Sequence, residues 1–145
     1  MDHILDLTDN LGNRFFSLFY NGQQNHMYCL WEGLTISSDV YAGSKEEMKW
    51  AEAHARSKNC HAIINDCRLI KGSLVDTTEW ATTVWSPAMY NAGILYNAII
   101  QSEDVFSQLS LADFEELTAG TGHIINKIFS SLEAGEAWIA GKMAQ

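Results

Sequence analysis

Two short apolar runs with a helical segment between them constrain the fold of this chain more than any other feature. HAIIND (residues 61–66) and ILYNAII (residues 94–100) have the length and composition of buried strands. The stretch DTTEW, which begins at Asp76, has the signals of a helix start. A strand, a helix and a strand in this order form a right-handed crossover, so the two strands are parallel and their carboxyl ends share one edge of a sheet.

A β-hairpin is predicted before this unit. RFFSLFY (residues 14–20) and HMYCLWE (residues 26–32) are aromatic and aliphatic runs separated by the turn-forming spacer NGQQN. Both faces of the second run carry apolar groups, which is typical of a strand inside a sheet. The hairpin therefore belongs to the main sheet.

A first long helix is predicted from Ser37 or Ser38 to about Asn59. Gly43 weakens its first part, and a start at Ser44 is the alternative. Its charged residues, Glu47 among them, are expected to be mostly exposed. Further on, helical segments are predicted after Ser102 and after Ser130, with a last strand over residues 123–129 between them.

These elements predict one α/β domain over residues 1–145, with residues 1–12 as a loose N-terminal segment. The order β-β-α-β-α-β-α-β-α gives a mixed sheet of about five strands, opened by the hairpin and covered by helices. A chain of 145 residues is long enough to bury a sizeable core without disulfides or a structural metal.

The composition excludes several classes of function. Eighteen acidic residues against nine basic ones give a net charge of −9, which argues against nucleic-acid binding. No apolar run is long enough to span a bilayer, and the N-terminal residues lack the pattern of a secretory leader, so we expect a cytoplasmic protein without membrane insertion. The sequence carries no metal-ligand spacing, cofactor motif or catalytic motif that we recognise, and we expect a protein without enzymatic activity.

Several motifs in order resemble the SpoIIAA-like proteins, which share their fold with STAS-domain anti-sigma-factor antagonists and, more distantly, with CRAL-TRIO lipid-transfer domains. The resemblance covers roughly residues 26 to 140. The motifs that carry it are WEG at 31–33, Asp66-Cys67-Arg68, Trp80, Trp85-Ser86-Pro87, Ala92-Gly93, EDVFSQLS at 103–110 and FSSLEAGEAWI at 129–139.

The resemblance implies a STAS-like fold and a regulatory role. In the STAS antagonists, a serine at the start of the helix after the equivalent strand is phosphorylated by a partner kinase, which releases the bound target. Asp76-Thr77-Thr78 lies nearest to that position here, with Thr77 in place of the serine and Glu79 in place of a following glycine. Thr77 is thus a candidate phosphoacceptor by resemblance.

The same residues also have a purely structural interpretation. Asp76 and Glu79 have the spacing of a capping box, in which side-chain oxygens accept the first unpaired N–H groups of a helix. A phosphate on Thr77 would lie at a helix N-terminus, where the helix dipole favours negative charge. Ser73, after Gly72, is a second candidate acceptor in the loop before the helix.

Two further groups of residues are candidates for a partner or ligand surface. Asp66 and Arg68 at the end of a strand form either an ion pair that orders the following loop or contacts to a ligand, with Lys71 close by. The next helix carries aromatic and apolar residues that fill the core, line a pocket or form an interface. These are Trp80, Val84, Trp85, Met89 and Tyr90.

The leading hypothesis is a non-enzymatic binding module of STAS-like type that meets a protein partner through residues 67 to 79 and the adjoining helix, under phosphorylation control. The alternative is a carrier of a small apolar or lipid-like ligand, in a pocket between the sheet and the helix from Trp80 to Met89. A carrier requires a cavity of a few hundred Å³, whereas a partner module requires a filled core and an exposed patch around residues 72–91. A homodimer that buries the aromatic surface is compatible with both.

Overall fold

The computed structural model describes residues 1–34 and 36–145. They form an α/β fold with one mixed sheet, in which six strands follow one another in sequential order. The strands are β1 (Asp2–Thr8), β2 (Arg14–Asn21), β3 (His26–Leu34), β4 (Ala62–Lys71), β5 (Tyr96–Ile100) and β6 (Ile125–Phe129). The helices are α1 (Ser37–Lys58), α2 (Val75–Trp80), α3 (Ser86–Ala92), α4 (Val105–Thr118) and α5 (Leu132–Met143). The predicted α/β class with a mixed sheet and an early hairpin is confirmed.

The N-terminal segment corrects the predicted strand count. Residues 1–12 were expected to be loose, and about five strands were expected. Instead, residues 2–8 form β1, which pairs antiparallel with β2 and makes the sheet six-stranded. Leu5 and Leu7 pack against the core cluster, whereas His3 and Asp6 are exposed. This alternation gives β1 an apolar face to bury.

Three connections between parallel strands lie on the same face of the sheet. β3, β4, β5 and β6 are parallel neighbours, and the helical segments between them contribute to one large core cluster. Since such connections have a fixed hand, a sequential strand order places them all on one face. α5 packs on the other face through Ile139, against Ala62, Ile64, Ala98 and Ile100. Within the described ranges, no helix combines the length and apolarity needed to cross a membrane.

Helix α1 begins at Ser37, so the alternative start at Ser44 is wrong. Gly43 lies inside the helix and is buried where α1 crosses the sheet. A Cβ atom added there would lie 2.5 Å from Cη2 of Trp31 and 2.9 Å from Cδ1 of Phe16. The close approach of α1 to the two aromatic rings requires a residue without a side chain, which explains a glycine at a position where it lowers helix propensity.

We expect Gly43→Ala to lower the free energy of unfolding by about 1–3 kcal/mol, because the methyl group overpacks the contact with Trp31 and Phe16. The matched control is Gly141→Ala in α5, where an added Cβ meets nothing within 4 Å. That substitution should raise the free energy of unfolding by about 0.5–1 kcal/mol through helix propensity alone. Urea denaturation of both variants measures the two effects, and a stabilising Gly43→Ala would contradict the packing argument.

The helical segment after β4 is continuous but contains a π-helical turn. α2 passes into this turn at Ala81–Trp85, and α3 follows from Ser86. Ser86 does not cap a new helix, because the residue before it has helical backbone angles and its hydroxyl caps nothing. Pro87 has no N–H to give to the carbonyl four residues earlier, and the wider turn adapts the helix to that loss. Pro87 therefore modifies one helix instead of starting another.

The edge of the sheet at β6 contacts a side chain of α4. In the pairing of β6 with β5, the N–H of Ile125 donates to the carbonyl of Leu95, which places the N–H of Ile128 on the outer side. That N–H donates to Oε2 of Glu115 at 2.8 Å.

Candidate functional site

A cavity of about 100 Å³ lies between the sheet and the helices on its larger face. Strands β3, β4 and β5 form its floor, and α1, the interrupted helix and α4 form its roof. Most lining side chains are apolar or aromatic, and a few polar groups converge on the same space. The floor residues include Trp31, Asn65, Cys67, Asn97 and Ile99, and the roof residues include Ser44, Glu47, Leu74, Thr77, Thr78, Ala81, Trp85, Leu111 and Phe114. This is the place in the fold where a small molecule would be enclosed by both layers.

Glu47 is the ionisable group of this cavity with the most unusual environment. It is 1% exposed, which contradicts the predicted exposure of this residue. Its Oε1 accepts a hydrogen bond of 3.0 Å from the indole Nε1 of Trp85, and its Oε2 has no hydrogen-bond partner of normal geometry among the described residues. Burial raises the pKa of Glu47 to about 8, although the neighbouring Cys29 thiol and the Trp85 indole act in the opposite direction. The carboxyl group is therefore mostly protonated at neutral pH.

A row of side-chain amides crosses the floor of the cavity. The indole of Trp31 donates to Asn65 at 2.9 Å, Asn65 donates to Asn97 at 3.0 Å, and Asn97 donates to Asn126 at 2.8 Å. Asn126 then donates to the hydroxyl of Thr118 at 3.1 Å, and that hydroxyl donates to a backbone carbonyl of α4. All donors point the same way, from β3 across β4 and β5 to β6 and then to α4. The row fixes the orientation of the amides that face the cavity.

The middle of β4 holds a second polar group, outside the cavity. Asp66 is fully buried and accepts hydrogen bonds from the hydroxyl of Tyr28 and from Nε and Nη2 of Arg68, the latter two at 2.9 and 2.7 Å. Burial alone would raise the pKa of Asp66, but the bonds from Arg68 and Tyr28 outweigh it and hold this pKa below its usual value. Asp66 and Arg68 thus form an ion pair, and the alternative of a carboxylate open to a ligand finds no support in this geometry.

The loop predicted between residues 67 and 79 is shorter than expected. β4 continues to Lys71, which is exposed and lies with Arg68 beside an open cleft of about 550 Å³ at the carboxyl ends of the strands. Only residues 72–74 connect β4 to α2. A bulge between Asp66 and Leu69 shifts the register of β4 against β3 by one residue, and the pairing then resumes from Leu69 to Lys71.

The capping-box interpretation of Asp76 and Glu79 is wrong, because α2 begins at Val75 and no side chain caps it from Asp76. The start of the helix is instead held by serine hydroxyls. The N–H of Leu74 donates to Ser110 at 2.9 Å, and the N–H of Val75 donates to Ser73 at 3.2 Å. Ser110 and Ser73 also share a hydrogen bond of 3.2 Å. Residues of α4 therefore position the beginning of α2.

The two candidate phosphoacceptors differ in environment. Thr77 is 4% exposed, lines the cavity, and donates its hydroxyl to the carbonyl of Leu74 at 2.9 Å. Ser73 is exposed on the turn before α2. A kinase could reach Ser73 in the folded protein, whereas it could reach Thr77 only after the start of α2 had opened.

The candidate surface residues of the interrupted helix separate into three groups. Trp85 and Met89 are buried in the core, and Trp80 is half-buried with its ring edge-on to Tyr41 at 4.9 Å. Val84 and Tyr90 are exposed. Of all the candidate site residues predicted from sequence, only Thr77 and Trp85 line the cavity.

Sequence reasoning missed the residues that give the cavity its polar character. Glu47 lies three residues after Ser44 and four before Ala51, both of which are buried, so helical spacing places it on the same face of α1 as these two residues. Asn65, Asn97 and Asn126 each interrupt an apolar strand run. One amide in each of three parallel strands is the pattern that would have predicted the row.

The chain matches no protein family, no curated protein and no solved structure. In the part of the chain that the structure describes, no group of three or more His, Cys, Asp or Glu side chains is placed to hold a metal ion. The function must therefore be argued from the cavity and its lining.

Proposed function

We propose that this protein is a non-enzymatic module that binds a small molecule in the cavity beneath the interrupted helix. The observation that carries the proposal is the buried carboxyl group of Glu47, which lines this cavity and whose Oε2 has no hydrogen-bond partner of normal geometry among the described residues. Buried polar groups in native proteins are almost always paired, so an unpaired one beside an empty volume indicates a missing partner. The π-helical turn above the cavity supports the same interpretation, since such turns are frequent at functional sites.

The volume defines the size of the ligand. A cavity of about 100 Å³ is smaller than the few hundred Å³ expected for a lipid carrier. It is comparable to cavities of about 150 Å³ that hold benzene. The proposed ligand is therefore a single small ring or an aliphatic molecule of similar size, and the lipid-like ligand considered from sequence is too large.

The chemistry of the lining favours binding over catalysis. Burial, with Asp66 and Glu47 nearby, raises the pKa of the Cys67 thiol, so the reactive thiolate is not formed at neutral pH. The hydroxyls of Thr77 and Thr78 donate to the carbonyl of Leu74. Glu47 is thus a perturbed acid without a nucleophile or a second acid beside it among the described lining residues.

Filling the cavity tests the proposal. Ala81 lines it from the π-helical turn, and we expect Ala81→Leu to weaken the binding of a small ring such as thiophene at least tenfold, because the added carbons occupy the same space. The matched control is Ala112→Leu on the exposed side of α4, which should leave binding unchanged. Chemical-shift titrations of ¹⁵N-labelled protein report both binding and retention of the fold. Absence of binding of any small ring, neutral or basic, to the wild-type protein, or equal binding to folded Ala81→Leu, would refute the proposal.

A second candidate function is the partner-binding module of STAS-like type. A cluster of apolar side chains on the outer face of α4 favours it: Val105, Phe106 and Leu109 are each more than 60% exposed. Ser110 of the same helix forms a hydrogen bond with the exposed Ser73. A phosphate on Ser73 would add about −1.5 to −2 charges next to these contacts.

Intact-mass analysis of the protein from its source cells tests this second candidate. We expect an increment of one phosphate that Ser73→Ala abolishes and Thr77→Ala retains, because only Ser73 is exposed in the folded protein. Loss of the increment in Thr77→Ala alone would assign the phosphate to the buried hydroxyl, and a bare chain mass would remove phosphorylation from the proposal.

A further inference from the structure

The polar groups of the cavity include oxygens that can only accept hydrogen bonds. The hydroxyls of Thr77 and Thr78 have already donated their hydrogens to the carbonyl of Leu74, at 2.9 and 3.2 Å. Their oxygens can still accept. Oε2 of Glu47 accepts as well whenever the carboxyl group is ionised. These groups favour a ligand that brings its own N–H or O–H donors.

The charge balance of the cavity points to the kind of donor. None of its described lining residues is a lysine, arginine or histidine, so an ionised Glu47 has no cation beside it. The ionisable groups close to its carboxyl group are the thiols of Cys29 and Cys67, and burial raises the pKa of both. An ionised buried carboxylate without a counter-charge is strongly unfavourable. A ligand that can take up a proton would supply that charge.

The aromatic walls point to the shape of the ligand. The indole rings of Trp31 and Trp85 and the phenyl ring of Phe114 line the same volume. Aromatic rings pack well against flat molecules, and their faces attract cations. Both indole N–H groups are already engaged, Trp31 with Asn65 and Trp85 with Glu47, so the two rings are held in place before any ligand enters.

We infer that the cavity takes a compact, planar, weakly basic heterocycle of the imidazole or aminopyridine class, whose N–H group donates to Oε2 of Glu47 and whose ring packs against Trp31 and Trp85. The inference rests on the proposed function and specifies its ligand class. A neutral ring of the same size would occupy the volume without satisfying the carboxyl group. Binding of the basic ring transfers the proton of Glu47 to the ligand and creates a buried ion pair.

The first experiment compares probes of matched size. Imidazole, 2-aminopyridine and thiophene are titrated into the full chain at pH 7, with the indole resonances of Trp31 and Trp85 as reporters. We expect Glu47→Gln to weaken the two bases at least tenfold and to leave thiophene within twofold. Glu46→Gln should change neither, because the half-buried Glu46 does not line the cavity and pairs with Lys49. Glutamine has the shape of the protonated glutamate, which favours a folded variant.

Three outcomes are distinguishable. Binding of thiophene without binding of the bases would overturn the ligand class and leave the proposed function standing. Binding of the bases with equal affinity in wild-type protein and Glu47→Gln would also overturn the class. If no probe binds, both the inference and the proposed function fail.

A second experiment needs no variant. The carboxyl ¹³C resonance of Glu47 in the wild-type protein is followed against pH, with and without saturating 2-aminopyridine. Because a cation beside the carboxylate favours its ionised form, the midpoint should fall by at least one pH unit in the presence of the base. An unchanged midpoint would overturn the inference, and thiophene serves as the control that should not lower it.

Discussion

The wild-type protein should lose about 3–5 kcal/mol more of its free energy of unfolding between pH 4 and pH 8 than the variant Glu47→Gln loses. In the native state, burial raises the pKa of Glu47 to about 8, while its ordinary value is 4.5. Between these values the unfolded chain has released the proton and the native protein still holds it. The free energy of unfolding of the wild type therefore falls as the pH rises from about 4.5 to 8, and glutamine removes this dependence.

Urea denaturation across this pH range measures the effect as a difference between the two proteins. Other groups titrate in the same range, among them His26, whose burial lowers its pKa and contributes a slope of opposite sign. His26 is present in both proteins, so its contribution cancels in the difference. Glu46→Gln, which removes the half-buried partner of the exposed Lys49, should give a curve parallel to that of the wild type. Parallel curves for Glu47→Gln itself would show that Glu47 is ionised in the native state.

Replacing Asn97 with leucine should lower the free energy of unfolding by about 3–5 kcal/mol, because it leaves two buried groups unpaired. Asn97 is in the middle of the amide row, where it accepts from Asn65 and donates to Asn126. Leucine is similar in size, so the loss arises from hydrogen bonding and not from a cavity. Thermal or urea unfolding gives the difference directly.

The control for this prediction is Asn91→Ala at the exposed end of α3, which should change the free energy of unfolding by less than about 0.5 kcal/mol. A double-mutant cycle adds a sharper criterion. If the row acts as a unit, the losses in Asn97→Leu and Asn126→Ala should sum to more than the loss in the double variant. Additive losses would mean that each amide contributes on its own.

The sequence predicts the fold well wherever the apolar pattern is long and regular. The hairpin, the parallel unit around β4 and β5, and helix α1 all follow from periodicity and turn chemistry. β1 was missed because its alternation is short and its residues include two charged positions. The π-helical turn was missed because nothing local distinguishes it from a kink or a second start at Pro87. Both depend on how the segment packs, which periodicity does not contain.

The sequence predicted where the candidate site lies but not the residue that distinguishes it. The pocket between the sheet and the helix from Trp80 to Met89 was one of the two hypotheses, and a cavity does lie beneath the front part of this helix. The residue that makes it chemically distinctive, Glu47, was assigned to solvent because glutamate is rarely buried without a partner. The average burial of a residue type is a poor guide to residues in unusual environments, and such residues are frequent at functional sites.

The contact between Glu115 and the N–H of Ile128 limits how this protein can associate with other chains. A parallel sheet that stops at a short outer strand offers a template on which another chain could continue the ladder. Here the carboxylate of Glu115 already accepts from one of the backbone N–H groups that an added strand would need, and it would repel an acidic chain. A second copy of this chain is itself acidic, with a net charge of −9. The addition of further strands at the β6 edge is therefore opposed both by the engagement of the Ile128 N–H and by electrostatic repulsion.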